Sequence, residues 1–175
     1  MEILEYYNRE NTVKLGKDER DKVHENNLWH REIAVWILNE KNEVLLQKRS
    51  PNKKQSPNKY TVCTGHVDPD ESIEDAALRE LLEETSIKVN KEDLVFINIF
   101  ENPDEGNKHF KYVYFIKTNK KVEELKMQEE EVTELKYVSL KEIEKMVERG
   151  EESLTFSKKF YVKPIIEKIK EIIGI

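Results

Sequence analysis

Residues 72–87 of this 175-residue chain read SIEDAALRELLEETSI, and they restrict the fold more than any other stretch. Ser72 is a favourable N-cap, and Asp75 three residues later completes a capping-box signature. Strong helix formers follow until Thr85 and Ser86. At about 100° per residue, Glu80, Glu83 and Glu84 share one arc of the helix with Ile73, Ala76 and Ala77. Leu78, Leu81 and Leu82 lie on roughly the opposite side. A helix apolar on two faces is expected between layers rather than on a surface. Like charges three and four residues apart cost a few tenths of a kcal/mol per pair, so a positive partner is expected for the three carboxylates. A cleft floor with a hard divalent cation would supply it, since Mg²⁺ takes a few carboxylates together with phosphate oxygens and water. On an exposed helix the same residues would form an ordinary solvated acidic face.

The surrounding spacing decides between these readings. Gly65, five residues, Glu71, seven residues, then Arg79-Glu80-Leu81-Leu82-Glu83-Glu84-Thr85-Ser86-Ile87 closely resembles the Nudix box, here spanning 65–87. The departure is Ser86, where that pattern has a Gly. Glycine ends the helix there because a left-handed backbone costs it little, so Ser86 carries a cost of about 1 kcal/mol or shifts the helix end. The resemblance implies that Glu83 and Glu84 are core metal ligands. Glu80 is implied as a further ligand or the general base on water, and the Gly65 carbonyl joins the metal shell. Arg79 would hold the carboxylates in place, and Glu71 would brace the loop. The implied reaction is metal-dependent hydrolysis of a diphosphate linked to another group, with Mg²⁺, or Mn²⁺ in its place, as cofactor.

The chain length suits one domain, residues 1–175, with a sizeable core. Charged residues make up 38% of the chain, yet the net charge is only −6, so both signs are interspersed and stable nucleic-acid binding is not expected. One cysteine excludes an intrachain disulfide framework and suits a reducing compartment. No signal-like N-terminus or long apolar run is present, which predicts a cytoplasmic protein without membrane attachment.

Met1 to Asn26 is polar and predicts a short strand and a turn. Ile33 to Leu38, IAVWIL, predicts a core strand, and Val44 to Leu46 a second that pairs with it as a hairpin across Asn39 to Asn42. Arg49 to Lys59 predicts a cationic loop able to receive substrate phosphates, and Lys48 and Arg49 are candidate phosphate contacts at its entrance. Tyr60 to Thr64 predicts a short strand leading into the box. Further strands are predicted at Leu94 to Phe100, Tyr112 to Ile116 and Leu135 to Val138, and helices at Leu140 to Val147 and Phe156 to Ile172. With the box resemblance, this implies an α/β class fold, the Nudix α/β/α sandwich with a mixed sheet between helices. Ile165, Ile166, Ile169 and Ile172 give the last helix an apolar face for packing within the chain or in a homodimer.

A second resemblance concerns the branch. VHENNLWHREIAVWILN, then LLQKRS and GHV, is similar to the isopentenyl-diphosphate isomerase-like branch of the Nudix superfamily, which holds isomerases and hydrolases. In the isomerases three histidines bind a metal, and His24, His30 and His66 stand at roughly corresponding places. The isomerase's catalytic cysteine directly precedes the Gly-His pair, where this chain has Thr64. Cys63 is one residue away and, on a strand, on the opposite face. The isomerases also need an acidic pair whose places, by ungapped alignment, hold Lys108 and Phe110. The Arg-Glu…Glu-Glu residues are all kept, so the chain reads as a hydrolase of a small-molecule diphosphate. An isomerase, or a sensor that binds a nucleotide without turning it over, are the alternatives. Glu129, Glu130 and Glu131 are candidates for an extra carboxylate outside the box. Trp29, Phe110 and Tyr112 either stack a substrate group or pack.

Overall fold

The computed structural model describes residues 1–175. Its order is β1 (Ile3–Tyr7), β2 (Lys14–Glu19), α1 (Arg20–Glu25), β3 (His30–Leu38), β4 (Glu43–Arg49), β5 (Tyr60–Thr61), β6 (Cys63–His66), α2 (Ile73–Thr85), β7 (Val95–Asn102), β8 (His109–Lys117), β9 (Val132–Ser139), α3 (Leu140–Glu148) and α4 (Val162–Ile173). β1 and β2 form a separate antiparallel hairpin. The N-terminal segment is therefore a hairpin and a short helix, more structure than the strand and turn its polar sequence suggests.

The other strands form one mixed seven-stranded sheet in the order β5-β4-β3-β8-β7, with β6 also on β3 and β9 on β4. β3 runs parallel to β8 along its whole length. All residues of β3 from Ile33 to Leu38 are buried, as a central strand covered on both faces requires. Alternate side chains serve different layers. Ile33, Val35 and Ile37 pack with Ala76, Ala77 and Leu81 of α2. Ala34, Trp36 and Leu38 pack with Ile143 of α3 and Ile165, Ile166 and Ile169 of α4. This is the expected α/β/α sandwich with a mixed sheet. Full burial of such side chains contributes about 1.5–3 kcal/mol each.

α2 is not enclosed on two faces. Leu81 is fully buried beside Ala77, but Leu82 is 52% exposed. The helix lies on one outer face of the sheet, and Leu81 belongs to the buried arc of Ala77, Glu84 and Thr85 rather than to an opposite one. Ser72 caps it by accepting from the Asp75 amide, and Ser86 ends it at φ 61°, the left-handed conformation that the Gly-to-Ser departure predicted would have to be met. The Ser86 hydroxyl accepts from the Lys126 amide, giving that strained position a polar anchor.

α4 begins at Val162, later than the predicted Phe156. Pro164 sits in its first turn, where the missing amide hydrogen costs nothing; a start at Phe156 would have put the proline in the helix interior. The β3–β4 hairpin is also shorter than expected. Its pairing register holds only Leu38 with Val44, and most of β4 pairs with β9 instead. β7 extends two residues past the predicted Phe100, and β8 starts three before Tyr112.

Candidate functional site

The short β3–β4 register creates the site. Beyond Leu38 and Val44 the β5–β6 segment occupies the space between the two strands. Tyr60 and Thr61 pair with Lys48 and Gln47 of β4, then Cys63 to His66 pair with Val35 to Glu32 of β3. The predicted single strand over Tyr60 to Thr64 is thus two strands serving different neighbours. Gly65 arrives under α2, where a Cβ would meet the Glu80 side chain; only glycine leaves that space open.

Arg79 organises the carboxylates. Its Nε and Nη2 donate to the two oxygens of Glu71 at 2.9 and 3.0 Å, and Nη2 also donates to the His66 carbonyl at 3.0 Å. Its Nη1 donates to Glu80 at 2.8 Å and reaches Glu83 at 3.5 Å. Glu71 in turn accepts from the Asp68 amide at 3.0 Å, closing the loop onto the helix. Such charge-assisted, bidentate bonds fix geometry as well as charge. Glu84 is buried and accepts from Gln47 Nε2 at 2.7 Å, while Glu83 stands at the open rim with 46% of its side chain exposed.

Burial pushes the Glu80 carboxyl up to about 7, against the opposing pull of Arg79. Burial pushes Glu84 up to about 8, and the neighbouring Glu80 charge adds to it. Two buried carboxyls raised this far would be favoured in their ionised form by a neighbouring positive charge. The donor set is all oxygen, with the Glu80 carboxyl lying over Gly65, so the residues fit a hard divalent cation.

Glu80, Glu83, Glu84, Gly65, Thr64 and His66 line a cavity of about 450 Å³. Arg20, Arg49, Lys53, Lys111 and Lys159 line it too. Lys53 pairs with Glu131 and Lys159 with Asp104, but Arg49 has no carboxylate within ion-pair distance. Its Nε donates only to the Gln55 carbonyl at 3.1 Å, and burial lowers its pKa. Of the two predicted phosphate contacts, then, Arg49 reaches the cavity. Lys48 does not line it and instead lies over the Tyr60 ring. The register of β4 on β9 shifts between Lys48 and Arg49, so the two neighbours take different surroundings.

The remaining candidates separate in the same way. Glu131 lines the cavity, whereas Glu129 and Glu130 lie outside it. Trp29 stacks on Phe110 at 4.8 Å, and neither these rings nor Tyr112 reach the cavity. Cys63 is buried among apolar neighbours, while Thr64 lines the cavity.

His24, His30 and His66 do come together, with ring centroids 4.9–5.8 Å apart. His66 lines the cavity, but His30 is fully buried behind it and does not touch it. Burial lowers His24 to about 4 and His109 to about 3, so both are neutral near pH 7. Burial also acts to lower His66, but its hydrogen bonds to Glu2 and Glu32 outweigh that and raise it to about 9. Residues that the sequence reading missed complete this cluster: Glu32, His109 and Lys111. The ungapped alignment pointed to Lys108 and Phe110. The strand turns His109 and Lys111 to the site instead, each within 3.3 Å of Glu32. No residue from Lys108 to Lys111 is acidic. Alternation along β3 and β8 was the signal that could have found these side chains.

Comparisons with known proteins bear on the family and the fold. A family model described as NUDIX domain matches residues 28–156. An uncharacterised Nudix hydrolase of Clostridium acetobutylicum is 29% identical over 155 residues, covering 84% of this chain and 74% of that protein. A prenyl-diphosphate phosphatase of Methanosarcina mazei is 32% identical over 136 residues, covering 76% of this chain and 77% of its own. An isopentenyl-diphosphate Delta-isomerase of Arabidopsis thaliana is 32% identical, but the match spans only 55% of that protein. Among solved structures, a protein of Deinococcus radiodurans superposes with a TM-score of 0.70 at 20% identity, covering 85% of this chain and 90% of its own.

Proposed function

The chain belongs to the Nudix family, and from that membership we propose that it is a metal-dependent hydrolase cleaving a diphosphate linkage in a nucleoside diphosphate-X or related small-molecule diphosphate. One observation carries this reading: the Glu80, Glu83 and Glu84 carboxylates and the unpaired Arg49 guanidinium line one cavity. A diphosphate has the charge to bridge them.

Glu83, Glu84 and the Gly65 carbonyl would hold the cation. Mg²⁺, or Mn²⁺ in its place, supplies neutralisation of the phosphate oxygens and a lower pKa for bound water. Glu80 is placed to take the proton of the attacking water, since a cation beside it would favour its ionised, proton-accepting form. Arg79 keeps Glu80 over Gly65 and ties the helix to the Glu71 loop. Arg49 anchors the phosphate remote from the carboxylates, and Lys53 and Lys159 add positive potential around it.

The attached group is expected to be polar. Tyr161 is the one hydrophobic residue in the lining, which suits a nucleoside or sugar better than an isoprenoid chain. The likeness to a prenyl-diphosphate phosphatase makes prenyl diphosphates the necessary counter-test. Thr64 in place of the isomerase cysteine, and the absence of an acid from Lys108 to Lys111, oppose the isomerase alternative.

The test is a phosphate-release screen with Mg²⁺ or Mn²⁺ over nucleoside diphosphates and triphosphates, nucleotide sugars, dinucleotide polyphosphates and prenyl diphosphates. Release from one class, abolished in Glu83→Gln with the melting curve unchanged, supports the proposal. Equal activity in Glu83→Gln removes it. Double-bond migration in isopentenyl diphosphate without phosphate release would replace it with the isomerase reading.

A further inference from the structure

We propose that the end of the cavity beside the β7–β8 loop is a subsite for the hydroxyls of a sugar ring joined to the diphosphate. The Asn107 carboxamide reads those hydroxyls, and the Tyr161 ring forms the wall beside it. The subsite rests on the hydrolase reading for where the diphosphate lies, and it names the part of the substrate that the loop selects.

Strand order gives the cavity its long direction. His66 of β6, Glu32 of β3, Lys111 of β8 and Asn102 of β7 all line it. Glu32 is in register with His66 on one side and with Lys111 on the other, and β7 pairs with the far edge of β8. The lining therefore crosses four adjacent strands. Three steps of about 4.8 Å put β7 about 14 Å from β6, the strand that carries Gly65. A diphosphate alone is shorter than that, whereas a diphosphate bearing a sugar ring spans it.

At the β7 end the backbone is fixed and one side chain is left without a partner. The Asn107 amide donates to the Asp104 carbonyl at 3.1 Å. Its own carbonyl accepts from Asn102 Nδ2 at 2.9 Å and faces His109 Nδ1 at 2.9 Å. Asn102 is buried, and its Oδ1 accepts from Lys159 at 3.3 Å. Lys159 also pairs with Asp104, which ties the loop to the segment ahead of α4. Asn107 is thus held at three points, yet its Oδ1 is buried with no hydrogen-bond partner. An unmet polar atom costs free energy, and this one belongs to a residue that lines the cavity.

The surrounding groups decide what can meet it. The charge of Lys159 is met by Asp104 and that of Lys111 by Glu32, so this end does not call for a further phosphate. Tyr161 packs on Phe100 of β7 with ring centroids 5.7 Å apart, and Lys111 Nζ lies 5.8 Å from its ring, which places it at the same end. A carboxamide carries two donors and an acceptor, and each hydroxyl of a vicinal diol both donates and accepts. A sugar ring therefore satisfies Asn107 while covering the Tyr161 ring. A prenyl chain would cover the ring and leave the carboxamide unmet, the condition under which a site rejects an analogue lacking its hydroxyls.

The experiment titrates ADP and 2′,3′-dideoxy-ADP, which differ only in the two ring hydroxyls, into full-length protein in Mg²⁺. Binding is measured by calorimetry, with Glu83→Gln present to prevent turnover. ADP is expected to bind at least about 10-fold tighter than the dideoxy compound. Asn107→Leu should bring the two within about 2-fold, by weakening ADP and leaving the dideoxy compound nearly unchanged. Asn107→Ala should do the same and keeps the test sound if the leucine variant fails to fold. Equal binding of the two nucleotides, or an equal loss of both in Asn107→Leu, overturns the inference; the second result would assign Asn107 to the base. Tighter binding of dimethylallyl diphosphate than of ADP also overturns it. Phosphate release by the wild-type protein is assayed in parallel. Its absence with the hydroxyl preference intact removes the hydrolase reading and upholds the subsite.

Discussion

Gly65 lies directly beneath Glu80: a Cβ on residue 65 would come 2.6 Å from Glu80 Cγ and nearer still to the carboxyl. The obstruction is the mobile end of a side chain rather than backbone, so Gly65→Ala should fold and push the Glu80 carboxyl aside. A displacement near 1 Å at a reacting group costs about 100-fold in rate. Gly65→Ala is therefore expected to lose about that factor in turnover while its melting curve stays close to wild type. Wild-type turnover in this variant would show that Glu80 need not sit where it does.

Gln47 is the side-chain amide that orients the buried Glu84, at 2.7 Å. Gln47→Leu removes that donor and should weaken divalent-cation affinity by about 10–100-fold, as loss of an outer partner of a ligand does. Isothermal titration with Mn²⁺ measures it. An unchanged affinity would mean that Glu84 is held by the sheet and the neighbouring helix turn alone.

The sequence displayed some of this directly and concealed the rest for identifiable reasons. The box states its own geometry: Ser72 and Ser86 mark the ends of α2, and Arg79 meets Glu71 because a fixed spacing returns the loop to the helix. Ile33 to Leu38 announced a central strand by an unbroken apolar run. Gln47, Glu32 and His109 were silent, since each matters only through the strand beside it. Glu32 becomes a hub when β6 and β8 flank β3 and bring in His66, His109 and Lys111. Register of this kind depends on long-range pairing, which local patterns do not encode. The misplaced start of α4 had a local sign, Pro164, that outweighs the apolar periodicity before it.

Arg49 and Lys48 are adjacent cations with different surroundings, one on the cavity and one over Tyr60. Losing a hydrogen bond to a charged group costs about 1.5–3 kcal/mol, or about 10- to 100-fold. Arg49→Ala should raise KM by that factor with a smaller change in kcat, and Lys48→Ala should change neither by more than about 2-fold. Steady-state kinetics on the substrate class found by the screen separates them. Equal effects would place the phosphate elsewhere than beside Arg49.

Metal removal should make stability depend on pH in a way that the cation reverses. Glu80 and Glu84 hold protons to about 7 and 8 in the folded chain, against 4.5 for an ordinary glutamate. Glu80 is faced by Arg79, Glu83 and His66, and Glu84 by Glu80, Gln47 and Cys63. Because the folded values are raised, the stability linked to these protons is complete below 4.5 and is lost as pH rises through 7 and 8. His24 and His109 act in the opposite direction. Their folded values of about 4 and 3 lie below the ordinary 6.5, so their contribution is full above 6.5 and is lost as pH falls through 4 and 3. In chelator, the melting temperature should therefore decline on both sides of a maximum between these windows. Excess Mg²⁺ should remove the part of the alkaline decline that belongs to Glu80 and Glu84, because the cation takes over the charge that the protons had neutralised; the part from His66, raised from 6.5 to about 9, and the acid side should remain. Thermal melts in chelator and in Mg²⁺ from about pH 5 to 9 test this. An alkaline decline that Mg²⁺ does not reduce, or that persists in Glu84→Gln at full size, would show that groups other than Glu80 and Glu84 set it.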